Sequence, residues 1–187
     1  MLEALPSYRF NGGLLHMPVE EKGVRLTVCK EGKRALDSFL KSIDAYNKNC
    51  AVVLCLFSGE KMKVYCAQQS LAQLAMTLQD SGEIIYHVGM LAGSLNERGV
   101  FLPSLELGWE LIKANTISGR NVVVLEGDEA KEFIFGRTVE LVSEMNWEEG
   151  KAVAVINEQG EFLGWGKIRG KRIIPVVDIG SYVRYKD

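Results

Sequence analysis

Glu161-Phe-Leu-Gly-Trp-Gly-Lys-Ile168, Arg169-Gly170 and Lys171-Arg-Ile-Ile-Pro-Val-Val177 decide how this chain is read. Two apolar, β-prone runs meet at a glycine turn, which predicts a hairpin. Lys151-Ala-Val-Ala-Val-Ile156 and the turn Asn157-Glu-Gln-Gly160 precede it, and Gly136-Arg137-Thr138-Val139 lies further upstream after the helix-compatible Asp128–Phe135. Brief strands with glycine at close intervals are the pattern of a small β-barrel. Residues two apart in a strand point to one face, so Lys167, Arg169 and Lys171 are expected side by side if no bulge intervenes. With Arg172 they make a cationic edge suited to phosphates, which backbone contacts recognise without reading sequence.

Charge distribution supports that reading more than the net charge of −2 does. Residues 1–117 carry 12 basic and 12 acidic side chains; 118–149 carry 3 and 8; 150–187 carry 7 and 4. A basic patch at one end can steer a polyanion although the whole chain is slightly acidic.

Outward from the hairpin, the pattern predicts an α+β unit over 1–117 and a second unit over 118–187. Val24–Val28 alternates as a strand, and Lys33–Asn47 is expected as a helix with Leu36, Phe39, Leu40 and Ile43 on its apolar face. Ala51–Phe57 predicts a central strand, joined to Met62–Cys66 through a turn at Ser58–Lys61. Ser70–Gln79 follows as a helix, with Leu71, Leu74, Ala75 and Leu78 facing inward. Ile84–Leu91 and Val100–Leu102 are expected strands around an Asn96–Gly99 turn. Ser104 then caps a helix reaching Ala114, with Leu105, Trp109 and Ile112 toward the core. Asn115–Asn121, short and polar, is the boundary.

The closing Val177-Asp-Ile-Gly-Ser-Tyr-Val-Arg184, with Phe133-Ile-Phe-Gly-Arg-Thr-Val139 and Phe162-Leu-Gly-Trp-Gly166, resembles the PUA domain of the Nip-seven family. Its members are archaeal and eukaryotic factors of large ribosomal subunit biogenesis; an archaeal member fits best. The resemblance covers the second half well and the first half by order of elements. It implies an N-terminal α/β domain with a mainly antiparallel sheet for protein contacts, and a C-terminal PUA-type small β-barrel for RNA. Implied partners are pre-rRNA, including U-rich single strands, ribosome assembly factors and exosome components; no catalytic activity or cofactor is implied. Where family members carry a Lys-Ser-Gly string, this chain has Glu140-Leu-Val142-Ser143 and then Glu144.

Other candidates complete the site. Arg184 either reaches RNA or pairs with the carboxylate of Asp178, which caps a final helical turn. Arg137 follows Gly136 and either touches a phosphate or belongs to a glycine-enabled turn. Trp165 is a stacking platform for a base or, preferentially, a core aromatic. His16 and His87 lack neighbours that suggest a triad, and Gly89-Met-Leu-Ala-Gly93 lacks the elements of a nucleotide loop. Cys29, Cys50, Cys55 and Cys66 form no C-x-x-C pair and are expected as buried free thiols. With no secretory signal and no run long enough to span a bilayer, the expectation is a cytoplasmic monomer away from membranes. Two alternatives stay open: an accessory PUA protein of an RNA-modification system, and a protein-only scaffold marked by Glu140, Glu144, Glu148 and Glu149.

Overall fold

Alternating apolar residues and well-placed glycines resolve into two five-stranded sheets. The computed structural model describes residues 24–58, 61–141 and 147–184. In chain order they form β1 (Arg25–Val28), α1 (Lys30–Ser42), β2 (Val52–Ser58), β3 (Lys61–Ala67), α2 (Gln69–Asp80), β4 (Met90–Leu95), β5 (Phe101–Pro103) and α3 (Leu105–Lys113). A 3-10 turn at Gly119–Asn121 leads to β6 (Val122–Leu125), α4 (Gly127–Ile134), β7 (Val139–Glu140), β8 (Ala152–Asn157), β9 (Phe162–Arg169), β10 (Arg172–Asp178) and α5 (Ser181–Arg184). The first sheet is an antiparallel meander in the order β1-β2-β3-β4-β5. The second has the order β6-β8-β9-β10-β7, is antiparallel except where β6 runs parallel to β8, and curls into a half-barrel. The α+β reading therefore stands.

Local chemistry sets the helix limits. α1 begins earlier than its apolar spacing suggests, because the Cys29 sulfur accepts from the Gly32 amide at its N-terminus. It also stops earlier, since Asp44 takes a φ of 47°. Ser104 caps α3 as expected, its hydroxyl oxygen accepting from Leu107 N at 3.0 Å. The strand expected at Ile84–Leu91 is instead β4, starting at Met90.

One hydrophobic cluster passes through both sheets. Leu36, Leu40, Ile43, Val53, Val64, Leu107 and Leu111 join Ala154, Phe162 and Trp165. β8 makes this possible: Ala154 faces the first sheet, while Val153 and Val155 face a separate core around Phe133, Leu163, Ile168 and Ile173. The Trp165 indole N–H donates to the Ser104 carbonyl at 2.7 Å, and the Asn121 side-chain amide donates to Ile43 O at 2.7 Å. Both bonds cross the junction between the sheets.

Three expectations need correction. The cysteines are not free thiols: Cys29 joins Cys55 and Cys50 joins Cys66, with Cα–Cα separations of 5.4 and 4.8 Å. Their sequence separations of 26 and 16 residues hid the pairing: the β2–β3 ladder sets Cys55 and Cys66 on one face, and Cys29, just after β1, and Cys50, just before β2, join the same core. α2 packs inward through Ala72 and Ala75, leaving Leu71, Leu74 and Leu78 exposed. The backbone of α2 thus sits close to the sheet, where only small side chains fit. Trp109 is half exposed, because Leu107, Gly108 and Leu111 occupy the inward face of α3. Residues 1–22, His16, Glu144 and Lys186, together with the turn at 59–60, lie outside the described residues.

Candidate nucleic-acid interface

The face of β9 that carries Trp165 continues outward through Lys167 and Arg169. The first sheet covers it as far as Trp165, which is 1% exposed, and leaves the two cations in solvent. Gly170, with a φ of 57°, makes the tight turn. Register then places Arg172 directly opposite Arg169, and Ile174 opposite Lys167. No bulge falls in this stretch; the ladder shifts only between Pro175 and Val177.

The cationic row is therefore Lys167, Arg169 and Arg172, and the expectation for Lys171 is corrected. Lys171 occupies the second turn position, at the tip of the hairpin and outside the paired strands. Two residues along a strand separate Lys167 from Arg169 by roughly 7 Å, while Arg169 and Arg172 are close cross-strand neighbours. Like charges directly opposite are unfavourable. Glu140 on β7 is in register beyond Arg172 and offsets that repulsion with an ion pair at 3.1 Å. Both partners are well exposed, so the pair is exchangeable. Glu149 also reaches the tip, accepting from Gly170 N at 2.7 Å. Glu140, Leu141, Arg169, Gly170, Lys171 and Arg172 border an open hollow of about 430 Å³. Among the described residues, Lys167, Arg169 and Lys171 have no carboxylate within ion-pair distance.

The structure does not add Arg137 and Arg184 to this row. Arg137 pairs with Glu132 at 2.8 Å and lies over the Phe135 ring at 5.8 Å. Arg184 donates to the buried Asp178 carboxylate at 2.6 Å and to the Ile134 carbonyl. Its guanidinium lies against Gly136, where any Cβ would stand 3.1 Å away and φ is +76°. Arg184 thus latches α5 onto the end of α4. Of the two roles open to it, the carboxylate pairing is the one seen. Trp165, sealed in the core against Phe39 and Phe162, cannot stack on a base.

The resolved titration shifts lie away from the row. Burial, assisted by the Glu106 charge, holds the Tyr65 phenol above its ordinary value. The Lys131 ammonium hydrogen-bonds Asp128 and holds its carboxyl below the usual range. Sequence reasoning missed Glu140 and Glu149 as partners of this particular hairpin. Only the placement of β7 and the loop before β8 brings them to it.

A curled sheet with this strand order and a cationic hairpin invites comparison with known domains. The model of the UPF0113 PUA domain family matches residues 121–187. The C-terminal part of this chain is a PUA domain. A structural search found similarity to the "Structure of a Conserved PUA Domain Protein from Thermoplasma acidophilum", with a TM-score of 0.50 and 15% identity over 84% of this chain and 95% of that one. At that identity the likeness concerns the fold. A search of curated proteins found no match to the chain. The PUA domain supports RNA binding in general, and it contains the whole of the cationic row. No helix among the described residues is long and apolar enough to cross a membrane.

Proposed function

We propose that this protein is a non-catalytic RNA-binding factor that docks pre-rRNA on its PUA domain during large ribosomal subunit biogenesis, as the Nip-seven resemblance implies. The observation that carries the RNA reading is the exposed row Lys167–Arg169–Arg172 on one hairpin face, with Lys171 at the tip. The Nip-seven motifs, and above all the closing Asp178-Ile-Gly-Ser-Tyr-Val-Arg184 string, support the ribosomal assignment. In this reading the first sheet serves assembly factors and exosome components, and the protein acts as a cytoplasmic monomer. Its two disulfides suit a cytoplasm in which intracellular disulfides persist, as in hyperthermophiles.

Three cations without a carboxylate partner should release counterions on binding a U-rich single strand. The slope of log K against log salt is then about −2, or roughly a 20-fold loss of affinity between 50 and 200 mM salt. Fluorescence anisotropy with a U-rich oligonucleotide reads this directly. A slope near zero, or binding unchanged after Lys167, Arg169, Lys171 and Arg172 all become Ala, rejects the site. Crosslinking to cellular RNA followed by sequencing tests the ribosomal assignment separately.

The carboxylates of Glu140 and Glu149 at the hairpin favour one second reading, a scaffold that binds only proteins. Partner capture that survives ribonuclease, together with absent oligonucleotide binding, would select it.

A further inference from the structure

A carboxylate stands on each side of the hairpin tip. On the β10 side Glu140 pairs with the Arg172 guanidinium at 3.1 Å. On the β9 side the residues before β8 continue the ladder, with Gly150 N donating to Ile168 O at 2.9 Å and Ile168 N donating to Lys151 O at 3.0 Å. That pairing carries Glu149 to the turn, where its carboxylate accepts from Gly170 N at 2.7 Å. A carboxylate on a turn amide marks a main-chain donor that favours an anion. Lys167, Arg169 and Lys171 around it are exposed, and among the described residues Glu149 forms no ion pair with any of them.

We propose that the Gly170 amide binds one phosphodiester of a single-stranded RNA, and that Glu149 is the internal competitor which the phosphate displaces. This role for Gly170 rests on the RNA binding proposed for the hairpin and specifies one contact within it. Gly170 is exposed, and nothing lies within 4 Å of where a Cβ would stand, so a bulky anion has room to approach the main chain. Main-chain N–H groups are regular partners of phosphate oxygens in such complexes. A phosphodiester, like a carboxylate, shares one negative charge between two oxygens. One oxygen takes the amide in place of Glu149, while the other meets Arg169 or Lys171, the residues on either side of Gly170. Glu149 is itself exposed, so water already competes for its contact and the carboxylate exchanges readily. The free hairpin is thus partly self-inhibited. Removing Glu149 strengthens binding without adding a cation to the interface.

The test titrates the isotope-labelled full chain with a U-rich oligonucleotide lacking terminal phosphates, following amide signals by NMR beside fluorescence anisotropy of the same strand. The Gly170 amide signal should move along the binding curve that anisotropy gives. Glu149→Ala should raise affinity roughly two- to tenfold, the net worth of one exchanged hydrogen bond. The salt slope should stay unchanged, because the neutral amide holds no counterion to release. Glu158→Ala makes the same change of charge in the turn at the opposite end of β9 and should give no such gain. Without RNA, the Gly170 signal of Glu149→Ala should already be shifted, since its acceptor is gone, while the remaining signals report an intact fold. RNA binding that leaves the Gly170 amide still, or equal gains from Glu149→Ala and Glu158→Ala, overturns the proposal and leaves the RNA-binding role of the hairpin standing. No binding by any variant at low salt removes that role and the proposal together.

Discussion

Replacing Gly108 by Ala should lower stability although it improves the helix. Gly108 lies inside α3, where exchange for Ala normally gains up to about 1 kcal/mol. Here a Cβ would stand 2.0 Å from Cζ and 2.2 Å from Cε1 of Phe162. That ring is 1% exposed and held edge-on against Trp165 at 5.3 Å between centroids, so it has no room to withdraw. Overpacking of this kind costs about 1–3 kcal/mol, and more when the backbone must shift. The net loss is then about 1–2 kcal/mol, or roughly 2–8 °C in Tm for a chain of this size. Thermal unfolding followed by near-ultraviolet dichroism, with Trp165 as reporter, measures it. Phe162→Leu should rescue part of the loss, giving a coupling energy above about 0.5 kcal/mol in a double-mutant cycle. If Gly108→Ala instead raises Tm by the helix-propensity gain, α3 does not pack on β9. The single core through both sheets would then be wrong.

Glu140→Gln frees Arg172, so affinity for a U-rich strand should rise and the salt slope should steepen from about −2 to about −3; anisotropy at three salt concentrations checks this, with stability changing by less than about 1 kcal/mol because both partners are exposed. Arg184→Met leaves the Asp178 carboxylate buried without its guanidinium and should cost about 2–3 kcal/mol, less than for a fully buried pair because Arg184 is 36% exposed. Urea unfolding reads that loss, while the RNA salt slope stays where it was; a flatter slope would return Arg184 to the interface. Under non-reducing conditions all four cysteines should resist alkylation, and reduction should lower stability by about 3 kcal/mol or more for each loop considered alone. Because the 29–55 and 50–66 loops overlap, losing both should cost less than the two losses added, which denaturant midpoints of Cys→Ala pairs can show.

Much of the secondary structure was legible because its signals are local. Glycine turns, alternating apolar runs and the Ser104 cap act within a few residues, and the backbone obeys them wherever they sit. The charge on the hairpin was legible for the same reason. Its arrangement was not, since a shift of one position in the turn decides whether Lys171 or Arg172 stands opposite Arg169. α2 shows a different limit. Helical periodicity identifies an apolar face correctly but not what that face meets, and here alanines turn inward while leucines turn out.

By itself the sequence determined the α+β class, most of the strands, the terminal basic hairpin and the motifs of a PUA domain, all consequences of neighbouring residues and their spacing. The tertiary structure alone decided the disulfide pairs, the shared core at Phe162 and Trp165, the latch between Arg184 and Asp178, and the Glu140 that stands against Arg172. Each of these depends on groups distant along the chain meeting at a few ångströms, and strand register, not composition, sets that distance.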